Sequence, residues 1–229
     1  MGRKYSKNHK AHKKSQEKHI KQIDFSEMLE KVHFETILAF SEALEARDQY
    51  TAGHTRRVME YSKTIGEHLK LDKQEIEDLK RSALLHDIGK IGVPDIILNK
   101  ESKLTDEEFS IIKTHTETGV SILKHIKSLK HLVPAVYHHH ERFDGDGYPE
   151  GIKGKEIPLH ARIIAIVDTF DAMTSNRSYR KALSFRTALS EIERNKGLQF
   201  DPDISDIFLE ILQETPYFFT LMRDPEYFL

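Results

Sequence analysis

Apolar residues in this chain recur every three or four positions, and stripe after stripe runs into a histidine or an aspartate. Val58, Tyr61, Ile65 and Leu69 form one stripe, and His54 stands four residues before its first member. Ile76, Leu79 and Ala83 form another, which His86 and Asp87 continue at +3 and +4. Such spacing gathers side chains on one helical face. The imidazoles therefore extend the inward face, not the solvent face. Almost no period-two alternation is present, so the pattern predicts an all-α fold.

Read in order, a helix is expected over about 25–46, with Leu29, Val32, Phe34, Ile37, Leu38, Phe40 and Leu44 on a broad apolar face. A polar break at 47–54 precedes the His54 stripe. Asp72 is placed to cap the next helix, which Gly89 and Gly92-Val93-Pro94 terminate. Residues 91–104 read as a loop anchored by Ile96, Ile97 and Leu98. Thr105 followed by Glu108 is a capping box, opening a helix that runs through His115 to about Ile126. The stretch 143–158 holds four glycines and two prolines and reads as loop. Helices are expected near 159–174, 184–195 and 203–214, and the aromatic C-terminus from Tyr217 to Leu229 is expected to pack on the body or on another copy. No repeat or interior linker interrupts 25–229, which reads as one domain behind an arm of residues 1–24.

That arm is basic. Residues 1–21 carry eight Lys or Arg against one Glu, within a net charge of −2, so the rest of the chain is acidic. A solvated, poorly ordered arm is the expected state. It has no interleaved aromatics beyond Tyr5, which argues against stable nucleic-acid binding. No apolar run approaches the roughly 18 residues of a membrane helix, and no secretory signal is visible, so a cytoplasmic protein is expected. The chain contains no cysteine. Any metal must then be held by nitrogen and oxygen donors, which suits iron, manganese, magnesium or zinc.

A lone histidine on an apolar face is usually a hydrogen-bonded core residue. Here His54, His86, His115 and His139 or His140 all end apolar stripes, and Asp87 and Asp168 are carboxylates in apolar surroundings. Unpaired buried charge is costly, and several acids beside several imidazoles point to cations. A carboxylate shared by two ions is the usual device for phosphoester hydrolysis. Lys90 is placed to hold a non-bridging phosphate oxygen.

Motifs extend this pattern: HDIGK at 86–90, "ARDQYTAGHTRRV", "KIGVPDIILNKESKLTDEEF", "HHERFDGDGYPEG" with Gly147-Tyr148-Pro149, "IPLHARIIAIVDTFDAMTSNRSYRKA" and "GLQFDP". In order, they make the chain resemble the HD-GYP family within the HD metal-dependent phosphohydrolases, from about Leu44 to Phe208. The resemblance implies hydrolysis of cyclic di-GMP to pGpG or GMP, with two divalent ions, iron or manganese. It implies that His54, His86, Asp87 and Asp168 hold one ion, and that Asp87 bridges to a second held by His115, His139 and His140. Lys90 would meet the scissile phosphate. Tyr148, Pro149, Asp171, Arg177 and Arg180 would line the substrate side.

His138, the extra histidine of "YHHHER", is expected to serve packing or the surface. Tyr50 stands where some relatives carry a glutamate that binds a third metal, so two ions are expected and cleavage beyond pGpG is in doubt. Thr116 and Ser178 replace common prolines without removing a ligand. Diguanylate cyclase domains, a response-regulator partner or a homodimer are the partners such a family suggests. The alternatives are a cyclic GMP-AMP phosphodiesterase and a cyclic-dinucleotide-binding or cyclase-docking module without catalysis.

Overall fold

The computed structural model describes residue 25 and residues 27–47, 53–176 and 181–214. The basic arm, Tyr50, Arg177, Ser178, Arg180 and the aromatic C-terminus lie outside the described residues. The chain divides into two units, Met1–Ala39 and Phe40–Leu229. In the first, residues 27–39 are helical, and Phe25, Met28, Leu29 and Val32 are exposed.

The second unit opens with helical residues 40–45. Helices α1 (His54–His68) and α2 (Lys73–Leu85) follow, then a 3-10 turn at Ile88–Gly92 and a short α3 (Asp95–Leu98). Next come α4 (Asp106–Lys113), α5 (His115–Leu123) and α6 (Val133–His138). A long loop leads to α7 (Leu159–Thr174), α8 (Phe185–Arg194) and α9 (Pro202–Glu214). Among the described residues there is no strand, only an isolated bridge between Lys196 and Phe200. None of their helices is long and apolar enough to cross a membrane.

Both expected caps form. The Asp72 side chain accepts from the Glu75 amide while Glu75 accepts from the Asp72 amide, and Thr105 and Glu108 do the same. Each closes two helix-end donors that would otherwise lack partners. Two expectations differ from the structure. The 91–104 segment contains α3, and the single helix expected across His115 is broken at Thr114. The break has a cause in the side chains. Thr114 Oγ1, His115 Nδ1 and Thr116 Oγ1 donate to the carbonyls of Ile111, Ile112 and Lys113, at 2.7, 2.7 and 3.1 Å. Side-chain donors here compete with the backbone for these acceptors, the Thr114 amide still reaching Ile111 at 3.2 Å.

Helix α1 packs on α2 and α7, and α6 packs on α5 and α7. At the centre, Tyr61, Phe170 and Phe208 meet edge to face at 5.2–5.8 Å, a favoured aromatic geometry. Leu79, Ile163, Ile166 and Val167 are fully buried around them. This core fixes α1, α2 and α7 so that the start of α1, the end of α2 and the middle of α7 come together.

Candidate metal centre

Helix α2 ends at Leu85, and His86 and Asp87 occupy the first residues beyond it. The following turn presses against the chain at His115. A β-carbon on Gly89 would fall 1.8 Å from the His115 carbonyl oxygen. Only glycine permits that approach, and it carries the dyad onto the break between α4 and α5. Arg47 holds the turn from outside, donating to the carbonyls of Ile91 and Val93 and to Asp95.

One device orients three of the imidazoles. His86, His115 and His139 each donate from Nδ1 to the carbonyl three residues earlier, on Ala83, Ile112 and Val136, all at 2.7 Å. Each carbonyl lies where a helix ends or breaks and lacks a full complement of backbone partners. The bond orients each ring and turns its Nε2 inward. His54 is fixed differently. Its Nδ1 donates to Asp171 Oδ2 at 2.8 Å, and Arg57 holds the same carboxylate at 2.6 and 3.1 Å. The resulting Asp–His pair is the usual support behind a metal ligand.

The inward atoms form two groups that share Asp87. Asp87, His115, His139 and His140 offer ligand atoms within 4.8 Å of one another, as do His54, His86 and Asp87. His115 Nε2 is 3.5 Å from Asp87 Oδ1, and His86 Nε2 is 3.4 Å from Oδ2. Asp168 Oδ1 joins the second group, 3.4 Å from His54 Nε2. Two atoms test whether cations fit. Among the described residues, His86 Nε2 and Asp87 Oδ1 are buried without a hydrogen-bond partner. Such orphans are costly in a native fold, and both are good metal donors. The residues therefore fit a divalent pair with nitrogen and oxygen ligands.

Charge is distributed unevenly across the site. Burial alone would raise Asp87, but Lys90 and His86 hold it well below the ordinary carboxylate range. Burial likewise opposes Asp168, whose pKa His54 and His86 nevertheless lower. Burial, followed by neighbouring imidazoles, depresses His139 strongly and His140 to about 3. Burial also lowers His115. His86 is the exception: burial lowers it, but the Asp87 carboxylate outweighs that and raises it to about 9.

Above the cluster lies a cavity of about 810 Å³, reached by His115, His140, Asp168, Lys90, Tyr148 and Phe109. Tyr148 stacks on His140 with ring centres 4.8 Å apart. Lys90 Nζ sits 2.5 Å from Asp87 Oδ2 at the cavity floor.

The structure thus brings together His54, His86, Asp87, His115, His139, His140 and Asp168, with Lys90 and Tyr148 beside them. Pro149 follows Tyr148 through a cis peptide bond in the glycine-rich loop. His138 turns aside, its ring 4.8 Å from Tyr137. Arg177 and Arg180 are not among the described residues. Asp171 requires a correction. Expected to line the substrate side, it is only 1% exposed and sits behind His54, tied to the ring and to Arg57. Sequence reading missed Arg57, Glu141 and Asp201. Arg57 lies one helical turn after His54, a spacing that would have pointed to a shared partner. Glu141 and Asp201 bind backbone or distant side chains, which no local spacing reveals.

The family model for the HD domain matches residues 39–204. A cyclic di-GMP phosphodiesterase of Thermotoga maritima is 40% identical over 183 residues, 79% of this chain and 50% of that protein. A 3'3'-cGAMP-specific phosphodiesterase of Vibrio cholerae is 40% identical over 167 residues, 73% of this chain and 36% of that protein. The chain thus spans half or less of the length of these relatives. A crystal structure of a cyclic GMP-AMP-specific phosphodiesterase from V. cholerae has a similar fold, with a TM-score of 0.63 and 23% identity over 84% of this chain and 51% of that one. With its HDIGK dyad and Gly-Tyr-Pro loop set in this all-α frame, the chain belongs to the HD domain family, in its HD-GYP branch.

Proposed function

We propose that this chain is a metal-dependent phosphodiesterase that hydrolyses cyclic di-GMP to pGpG, and to GMP where a second cleavage follows. The observation that carries this reading is the Asp87 carboxylate shared by two ligand groups beneath an open cavity. His54, His86, Asp87 and Asp168 would hold one ion, and Asp87, His115, His139 and His140 the other. Nitrogen and oxygen donors without thiolate suit iron or manganese. When bound, such a pair supplies nucleophilic water near neutral pH and positive charge at the phosphorus.

The chain's own residues account for the rest. Lys90 lies at the cavity floor and is positioned to hold a phosphate oxygen as it leaves Asp87. The rings of Tyr148 and Phe109 border the cavity and offer flat surfaces for bases. Lys103 adds positive charge along one wall, which suits a dianionic substrate, while Lys100 is paired with Glu108. Arg177 and Arg180 are the further nucleotide contacts expected from the motif. Cyclic GMP-AMP is the alternative substrate, favoured by the relative that is specific for it.

The test is a turnover assay on protein loaded anaerobically with Fe(II) or Mn(II), offered each cyclic dinucleotide separately, with products resolved by chromatography. Turnover of cyclic di-GMP that is lost in folded Asp87→Ala protein is expected. Faster turnover of cyclic GMP-AMP would transfer the reading to that substrate. Tight binding without turnover of either would make the chain a binding module.

A further inference from the structure

Glu141 follows the metal-ligand pair His139-His140 and plays no part in the cluster. Its side chain is fully buried, and among the described residues its ionic neighbour is His138, whose Nδ1 lies 3.7 Å from Glu141 Oε1, outside hydrogen-bond range. Its oxygens accept instead from the backbone amides of Glu150 (2.8 Å) and Gly151 (3.1 Å to each oxygen). These amides lie just beyond Tyr148-Pro149. On the other side of that pair, a β-carbon on Gly147 would come within 2.3 Å of the Arg142 nitrogen and 2.5 Å of the Glu141 α-carbon. The loop is therefore laid directly on residues 141 and 142. The Tyr148 amide donates to the His140 carbonyl at 3.2 Å, and the Tyr148 ring stacks on the His140 imidazole. Lys113 Nζ stands 5.3 Å from the Phe109 ring centre and 5.9 Å from that of Tyr148.

We infer that Glu141 is a positioning residue that clamps the Gly-Tyr-Pro loop to the end of α6 and so sets Tyr148 at the substrate cavity. A buried carboxylate is expensive unless its lone pairs are used, and charge-assisted bonds to backbone amides are strong. Here the hydrogen bonds are made to a loop. Because the anchor is one residue from His140, the wall that meets substrate is held by the same short segment that presents two ligands. The inference rests on the proposed phosphodiesterase reading only for its effect on substrate.

Glu141→Leu tests it, because the side chain keeps its bulk but loses both acceptors of the two amides. Native-state hydrogen exchange read at Glu150 and Gly151 should show protection in the wild type and its loss in the variant. Metal content should stay at the wild-type level. With cyclic di-GMP or cyclic GMP-AMP, KM should rise by about tenfold, the size of one lost charge-assisted hydrogen bond, while kcat changes far less. Tyr148→Ala should reproduce the KM effect but leave the two amides protected. Unchanged exchange at Glu150 and Gly151 would overturn the clamp. Loss of bound metal alongside exchange would overturn it too, making Glu141 a support of the ligands. If Glu141→Leu does not fold, Glu141→Asp, one methylene shorter, should still expose both amides, and protection there would sink the idea. Should the wild type hydrolyse neither dinucleotide, the function reading fails, but the exchange arm still decides the clamp.

Discussion

His54 and Asp171 are joined by a 2.8 Å hydrogen bond deep in the fold, with Arg57 closing the carboxylate from the far side. Burial would raise the Asp171 pKa, but the bond from His54 and the charge of Arg57 hold it well below the ordinary range. The aspartate therefore stays anionic and keeps the ring's Nε2 facing the cluster. Asp171→Asn removes the charge and the tautomer preference together. Metal affinity should fall by about 10–100-fold, the usual loss when the partner behind a ligand is removed. Competition with a coloured chelator measures it. Unchanged affinity would show that His54 needs no such support.

The two ligand groups should differ in how they respond to pH. His139 and His140 are already neutral near pH 7, because burial and nearby imidazoles depress them, His140 to about 3. Their group, with anionic Asp87, can take an ion without losing a proton. His86, raised to about 9 by Asp87 against its burial, is protonated at pH 7 and must give up that proton to ligate. Its group should lose up to about tenfold in affinity for each pH unit below 9. Titration calorimetry in buffers of different ionisation enthalpy should therefore find one equivalent that releases about one proton near pH 7, and one that releases almost none. Equal release by both would contradict the asymmetry.

Gly89 is constrained by backbone on both sides of the contact, not by the metal. A methyl group there would collide with the His115 carbonyl oxygen at 1.8 Å and lie 2.6 Å from the Gly119 nitrogen. Neither neighbour is the end of a flexible side chain, so the turn must move away from α5. Gly89→Ala should cost about 3 kcal/mol or more, in the range of severe overpacking. It should also separate Asp87 from His115. Chemical denaturation of metal-free protein isolates the first effect, and a midpoint close to wild type would refute it.

Much of this was legible in the sequence, for an identifiable reason. Ligands that extend helical stripes, such as His54, His86 and Asp87, are fixed by a period of 3.6 residues. Capping boxes at Asp72 and Thr105 are local patterns of four residues, and both formed. What could not be read leaves no mark on apolar periodicity. The break at Thr114 arises when three successive side chains capture carbonyls, an outcome that apolar periodicity does not encode. Asp171 was read by its motif as facing substrate, whereas its partner Arg57 lies 114 positions away. The clamp from Glu141 to Gly151 likewise uses backbone amides, which carry no signature in residue type.

Asp201, in the "GLQFDP" segment, anchors the opposite flank of the glycine-rich loop. Its carboxylate is buried and accepts from Lys155 at 2.9 Å and from Arg162, while Asp144 and Phe143 donate from their amides to the carbonyls of Leu198 and Gln199 at 2.8 and 3.1 Å. Burial pushes the Asp201 carboxyl up, but the bonds from Lys155 and Arg162 prevail and hold it below its usual value. A depressed folded pKa contributes stability that is complete above the unfolded value, about 3.9, and lost as pH falls through the folded value. Asp201→Asn should therefore lower stability at pH 7 by roughly 3 kcal/mol, because Arg162 is left half-buried without its partner. The gap between variant and wild type should hold constant down to about pH 5 and shrink steadily below about pH 4. Urea midpoints measured across that window provide the check. A gap that widened on acidification would mean that the carboxylate destabilises the fold, and the anchoring role would have to be abandoned.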